Sequence, residues 1–463
     1  MPAPRTNEPN PRALRLVHPL RDFLHTEAAG GVVLVVATAA ALVWANVSPS
    51  SYHDLWSTVF TVGTAERHLA LTLRDWVNDG LMAIFFFVVG LEIKRELVEG
   101  ELRDPRRAAL PAIAAVGGMI VPALVFVAFN AGGAGADGWG IPMATDIAMA
   151  VGVLSLLGSR VPSPLKLFLL ALAIVDDIGA IVVIALFYSD DFDARAALFA
   201  LGFLALMALL RVLGVRRIWP FAVLGVGVWL SVQQGGVHAT IAGVILGLLA
   251  PTRPFRQPDM IDADKLADVS TVEAAHETVV HARESVSVVE WLEHLLHPWT
   301  SYVIVPLFAL ANAGVVLSSD AIDRAVSSPV THGVVVGLVI GKLVGITAFA
   351  WLAVRLGIAR LPQGTRFSQI VGVAALGGIG FTVSLFVSEL AFGSASVLAD
   401  DAKIGILSAS LAAAAFGMVL LTMTTRNEAK TASPNGASTT GSETTGSPTT
   451  GSETTKGPAE AGP

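Results

Sequence analysis

The sequence predicts an all-α polytopic membrane protein of about twelve transmembrane helices, built as inverted repeats whose two broken helices cross at mid-membrane. Three observations predict this. First, 53% of the 463 residues are hydrophobic and only 14% are charged, against about 25% charged in soluble domains. That composition excludes an ordinary soluble enzyme, a disordered chain and a nucleic-acid binder. Second, the apolar residues fall into runs of about 20, the length a helix needs to cross a bilayer whose core offers the backbone no water. The 44 glycines and abundant alanines suit helices whose backbones pack closely in lipid. Third, two of the runs are interrupted by Pro or clustered Gly, as in transporters whose half-helices meet at the substrate site. With no Cys in the chain, neither a disulfide framework nor a thiolate metal site is available.

The runs are 28–46, 76–95, 107–129, 141–157, 165–187, 196–214, 218–232, 237–250, 299–316, 333–354, 368–391 and 403–424, which together make a transmembrane domain over 28–424. Residues 1–27 form a polar leader carrying Arg5, Arg12, Arg15 and Arg21, without the small-residue cleavage site of a removable signal. An inner amino terminus places 24 of the 30 cationic residues in inner segments and 5 in outer ones, so both termini are expected in the cytoplasm. Residues 47–75 hold two alternating stretches around Gly63-Thr64 and read as an outer hairpin. Residues 129–140 read as a short flexible outer loop. The long inner loop 252–298 has nine acids against four bases, with apolar residues at 272, 275, 279, 286, 289, 292 and 296. That spacing predicts a helix lying on the inner surface or extending the next span. The tail 425–463, rich in Thr, Ser, Gly and Pro and repeating Gly-Ser-Glu-Thr-Thr at 441 and 451, is expected to be disordered.

An ionisable group at mid-membrane costs several kcal/mol unless it is neutralised, paired or wet, so such residues are the candidate site. Asp176 and Asp177 sit at the middle of the run 165–187. Neighbours on a helix point about 100° apart, so one carboxylate can face a partner while the other faces a water-filled funnel. Thr145 and Asp146 follow Pro142 and a Gly-rich stretch. There an unwound helix would expose its end charges, Asp146 balancing a positive helix end and Thr145 offering an oxygen to a cation. The bland alternative is an N-cap near the surface. Lys342, deep within 333–354, needs a carboxylate partner, and Asp176 or Asp177 is the natural one. Gly377, Gly378 and Gly380 in mid-span predict the second broken helix, with close helix packing as the alternative.

Other polar residues are ambiguous alone. Glu92, Arg95 and Glu96 share a helix face at the inner end of the second span, where a solvated anchor is equally reasonable. Glu293, His294 and His297 mark the inner start of the ninth span and read either as a pH-sensing mouth or as an interfacial anchor. His238 reads as a hydrogen-bonded outer-face histidine, and Asp79 is undecided.

The motifs Gly-Leu-Glu-Ile-Lys-Arg-Glu-Leu, Ala-Thr-Asp-Ile-Ala, Ala-Ile-Val-Asp-Asp-Ile-Gly-Ala, Gly-Val-His-Ala-Thr-Ile-Ala-Gly, Leu-Glu-His-Leu-Leu-His-Pro-Trp and Gly-Gly-Ile-Gly-Phe-Thr occur in this order. Together they closely resemble the NhaA family of bacterial Na⁺/H⁺ antiporters over roughly residues 20–424. The family is a standing example of inverted-repeat architecture. The resemblance implies an electrogenic, pH-activated antiporter of the bacterial inner membrane, with transported Na⁺ or Li⁺ and H⁺ and no cofactor. It implies that Asp177 is the primary ion and proton carboxylate and that Asp176 pairs with Lys342. Thr145 and Asp146 would lie at the crossing. Glu92, Arg95, Glu293 and His294 would form a cytoplasmic pH-responsive cluster, with His238 acting from the outer side. The hairpin 47–75 would be the contact of a homodimer. The chain departs from the family pattern at Leu343, where Pro is expected, in the length of the loop 252–290, and in the added tail. A Na⁺-coupled symporter or a passive cation channel is the nearest rival reading. The Asp-Asp-Ile-Gly spacing and the Phe381 that follows Gly-Ile-Gly do not fit a Mg²⁺-dependent lipid transferase or a membrane aspartyl protease.

Overall fold

Every expected apolar run is helical, but the backbone crosses in three different ways: as plain α-helix, as α-helix with a π-helical insertion, and as broken helix. The computed structural model describes residues 11–63, 68–189, 193–215, 217–252, 286–394 and 396–431, with backbone alone at 11–28, 159 and 425–431. Helix α1 (Pro11–Val47) and the short α2 (Pro49–Ser57) lead to an antiparallel hairpin of β1 (Val59–Gly63) and β2 (His68–Thr72). A π-helix Trp76–Leu81 runs into α3 (Met82–Val98), followed by α4 (Pro105–Asn130). A 3₁₀ segment Ala136–Met143 precedes α5 (Ile147–Leu156), and then come α6 (Ser163–Phe187), α7 (Ala194–Val212), α8 (Ile218–Gln234) and α9 (Ala239–Leu249). Helix α10 (Val288–Trp299) continues through a π-helix Thr300–Ile304 into α11 (Val305–Asn312), and α12 (Ser319–Ser327) follows. Helix α13 (Pro329–Val336) passes through a π-helix Gly337–Gly341 into α14 (Lys342–Arg355). The chain ends with α15 (Phe367–Leu376), α16 (Phe381–Phe392) and α17 (Val397–Thr431).

Among the described residues seven helical stretches are long and apolar enough to cross a membrane alone, and α15 with α16, bent by 47°, makes an eighth. The remaining four expected spans are 73–98 and 288–312, each divided by its π-helix, and the shorter α8 and α9.

Several expected boundaries move, each for a local reason. Residues 55–57 belong to α2 rather than to the hairpin, because Pro49 starts a helix that turns Tyr52 and Trp56 into the core. The outer loop at 129–140 is shorter than expected, since the 3₁₀ segment begins at Ala136. The ninth span starts at Val288, where Ser287 caps its N-terminus by accepting from Glu290 N at 3.1 Å. The apolar spacing in 252–298 therefore does extend the next span from 288, while 253–285, with His276 and His281, lie outside the described residues. The last helix begins at Val397 and runs to Thr431, past the expected start of the tail at 425, and 432–463 lie outside the described residues.

Small residues set the closest helix contacts. Where α9 crosses α3, a Cβ on Gly243 would meet the Ala83 carbonyl, and one on Gly90 would lie 2.8 Å from the Val244 carbonyl oxygen. With backbone on both sides nothing can yield, so Gly243→Val is expected to cost at least the 1–3 kcal/mol typical of overpacking. The measurable result is loss of monodisperse protein in detergent size-exclusion chromatography. Helix α4 meets the span 329–355 in antiparallel fashion: Gly117 faces Gly345, Pro122 faces Gly341, and Asn130 Nδ2 donates to the Pro329 carbonyl at 3.0 Å. The third and tenth expected spans thus pack directly against each other, running in opposite directions.

Candidate functional site

The two interruptions meet. Residues 144–146 are extended between the 3₁₀ segment and α5, and 377–380 form a turn between α15 and α16, closed by Gly378 N to Ala375 O at 3.1 Å and Ile379 N to Leu376 O at 3.0 Å. Asp146 N donates to the Ile379 carbonyl at 2.6 Å, joining one break to the other through the backbone. Ser384 Oγ donates to the Ile141 carbonyl at 2.6 Å, adding a second tie. Gly380 is required here, since a Cβ on it would sit 2.9 Å from the Ala144 carbonyl oxygen. Breakage and close packing, the two readings of these glycines, are both realised.

Asp146 is an N-cap, but a buried one serving two helices. Its Oδ1 accepts from Met149 N at 2.9 Å in the first turn of α5, and its Oδ2 accepts from Thr382 N at 2.9 Å in the first turn of α16. Each helix N-terminus carries roughly half a positive charge, so one carboxylate offsets both. Asp146→Ala removes both caps, each worth about 1 kcal/mol in water. We expect a lowered thermal midpoint in detergent, with Asp146→Asn retaining more of the parent stability.

Asp176 and Lys342, both 0% exposed, form an ion pair through Oδ2 and Nζ. Lys342 Nζ also donates to Thr145 Oγ1 at 3.0 Å. That hydroxyl lies 2.7 Å from Asp176 Oδ2 and 2.9 Å from the Gly377 carbonyl oxygen. Thr145 thereby joins the acid, the base and both broken spans. Asp177, one residue on, faces a cavity of about 50 Å³ lined also by Thr145, Asp146, Thr382, Glu92 and His297. A water needs at least about 10–15 Å³ of such space, so several small occupants fit. Oδ1 of Asp176 and Oδ1 of Asp177 are buried without a hydrogen-bond donor. On the cavity wall the Asp177 carboxylate stands with Thr145 and Thr382, and carboxylate and hydroxyl oxygens are the hard donors that suit a small cation.

At the far end of this cavity Glu92 Oε1 lies 3.9 Å from His297 Nε2. Arg95 pairs with Glu293 and lies 3.8 Å from Glu96. His294 is exposed, whereas His297 is buried and is the histidine that faces Glu92. The signal was in the spacing: His297 is four residues after Glu293 and shares its face, whereas His294 is rotated about 100° away. His238, at the start of α9, contacts the Tyr188 carbonyl through Nε2. The Tyr188 hydroxyl accepts from Gly140 N at 3.0 Å, so His238 reaches the end of α6 and, through it, the approach to the first break. Asp79 Oδ2 accepts from Gln233 Nε2 at 3.0 Å. One feature had no sequence signal: Asn312 Nδ2 donates to Asn78 Oδ1 at 2.7 Å, tying the first π-helix to the end of α11.

The sequence profile of the family Na⁺/H⁺ antiporter 1 matches residues 21–421. The chain is 45% identical over 430 residues to the Na⁺/H⁺ antiporter NhaA of Oleidesulfovibrio alaskensis, covering 89% of this chain and 95% of that protein. It is 46% identical over 415 residues to NhaA of Rhodospirillum rubrum (88% and 98% covered) and 45% identical over 411 residues to NhaA of Escherichia coli O9:H4 (88% and 98% covered). With its paired carboxylates beside two crossing broken helices and this similarity along nearly its whole transmembrane length, the chain belongs to the NhaA family of Na⁺/H⁺ antiporters.

Proposed function

We propose that this chain is a secondary active transporter of the bacterial cytoplasmic membrane that exchanges intracellular Na⁺ or Li⁺ for external protons. The observation that carries the reading is Asp177, whose Oδ1 accepts no hydrogen bond, on the wall of the cavity beside the helix crossing and next in the chain to the buried Asp176–Lys342 pair. Deprotonated, these carboxylates attract a small hard cation, and Thr145 supplies a neutral oxygen. Protonation removes the charge and the cation leaves. Since the site holds cation or proton but not both, the two flows are coupled. Two acids and a Lys342 that can release Asp176 favour more protons than Na⁺ per cycle, which makes exchange electrogenic. The chain carries no nucleotide motif, so the proton gradient is the driving force, and no cofactor enters the cycle.

The cluster of Glu92, Arg95, Glu293 and His297 lies at the end of the cavity remote from the hairpin and is suited to make activity depend on pH, because histidine changes charge near neutrality. The distribution of cationic residues favours both termini in the cytoplasm. The hairpin supports a homodimer: β1 is exposed throughout, with Val59, Phe60 and Val62 about half open on an edge strand, and such an edge is a template for pairing.

Everted vesicles from antiporter-deficient bacteria, acidified by respiration and loaded with a pH-sensitive dye, test the reading between pH 6.5 and 8.5. The expected result is collapse of the pH gradient on adding NaCl or LiCl but not KCl, steeper at alkaline pH. Na⁺ flux without proton movement would instead identify a channel, and Na⁺ entry with a co-substrate a symporter.

A further inference from the structure

We propose that the hairpin end of the bundle is closed by a two-layer gate, an aromatic plug backed by an ion-pair latch whose releasable pair is Glu389 and Lys403. The inference rests on the antiporter reading only in that exchange requires this end to open. On α16, Val383 lines the cavity, Phe386 lies one turn further toward the hairpin, and Glu389 one turn beyond that. The same succession holds on the ninth span, where Val305 lines the cavity and Phe308 follows. Phe386 packs against Phe86 and Phe308 with ring centroids at 5.5 and 6.3 Å, and all three rings are buried. Three separate spans thus contribute one ring each to a plug over the cavity.

Beyond the plug lies a balanced set of charges from four chain segments. Arg74 comes from the foot of the hairpin, Glu389 from α16, Arg324 from α12, and Asp400, Asp401 and Lys403 from the start of α17. Arg324 Nε meets Asp401 Oδ1 at 3.0 Å, and the Asp401 carbonyl accepts from Thr331 Oγ1 at 2.9 Å. Lys403, 2% exposed, faces Glu389 Oε2 across 3.9 Å, and that oxygen accepts no hydrogen bond. Arg74 and Asp400 lie within electrostatic reach of Lys403, and the Arg74 Nε is buried without an acceptor. The Arg324–Asp401 contact is therefore a fastened joint within the wall, whereas Glu389–Lys403 is an ion pair held short of hydrogen-bonding distance.

A loose buried ion pair suits a gate for an energetic reason. Its desolvation cost roughly offsets its Coulomb attraction, so admitting water exchanges one interaction for another at little net cost. An apolar seal of the same size would resist wetting throughout. The plug excludes water while closed, and the latch biases the gate toward the closed position by no more than the several-fold factor that its removal releases.

The absence of Cys from the chain provides a direct test. Ser388 is buried, its hydroxyl has no hydrogen-bond partner, and it sits between Phe386 and Glu389; Ser388→Cys introduces a sole thiol there with little change of volume. A membrane-impermeant maleimide would be applied to intact cells and to everted vesicles. Slow labelling is expected in the parent. Labelling several-fold faster from the hairpin side alone is expected with Glu389→Gln, with Lys403→Met and with the two combined. The combined variant strands no buried charge and so keeps the test available if a single change fails to fold. The reversal Glu389→Lys with Lys403→Glu should return labelling toward the parent rate. Equal labelling rates in the parent and the folded combined variant would overturn the proposal. Since labelling needs no bound ion, this outcome is distinguishable from failure of the exchange assay.

Discussion

Asp177→Asn is expected to abolish Na⁺- and Li⁺-driven proton movement in everted vesicles while leaving a folded protein. Asn keeps the shape of the side chain but removes the charge that faces the cavity. Even at an effective dielectric near 20, a unit charge about 4 Å away is worth about 4 kcal/mol, which is roughly a thousandfold in affinity. The same change removes a carboxylate that can take up a proton, so neither half of the proposed exchange is expected to survive. Thermal stability should hold or rise, because a buried carboxylate without a hydrogen-bond donor at Oδ1 is costly to the fold. The dye assay beside a melting curve checks both statements. A variant that still collapses the gradient with parental Na⁺ dependence would move the ion site elsewhere.

The second large effect is on stability. Lys342→Gln leaves Asp176 buried without its cation, and removing one member of a buried pair typically costs about 3–5 kcal/mol. The thermal midpoint in detergent should fall steeply. Asp176→Asn combined with Lys342→Gln strands no charge, since two amides can hydrogen-bond to each other and to Thr145, so much of the loss should be recovered. Melting followed by tryptophan fluorescence, for which the chain has nine reporters, separates the cases. If the combined variant were no more stable than Lys342→Gln alone, Asp176 and Lys342 would not be acting as a pair.

The parts of this architecture legible in the sequence were those that violate the solvation rules of a membrane. Asp176, Asp177 and Lys342 stood out because charge inside an apolar run demands a partner or a cavity: Asp176 and Lys342 pair with each other, and Asp177 faces the cavity. Pro142 and the 377–380 glycines stood out because they interrupt helix where interruption is expensive. Pairings that depend on helix phase were legible only from residue spacing. His297 rather than His294 faces Glu92, a difference of three residues along α10 that composition does not register. Neutral amides such as Asn78 and Asn312 carry no solvation alarm. Glu389 and Lys403 lie at the ends of apolar runs, where charge is normally solvated, so their burial appears only when α12, α16, α17 and the hairpin foot are assembled.

The three π-helical stretches have a consequence for how such chains diverge. In each, the closing bond spans five residues, from Met82 N to Val77 O, from Val305 N to Thr300 O and from Lys342 N to Gly337 O. Each stretch therefore accommodates one more residue than an α-turn. Loss of that residue would rotate everything on one side by about 100° relative to the other, leaving hydropathy and composition almost untouched. For the span 329–355 the rotation would swing Lys342 away from Asp176 or pull Pro329 out of register with Asn130. A one-residue indel within a span is thus a larger functional step than many substitutions. Relatives aligned span by span without internal gaps would appear to differ at positions that occupy the same place in space.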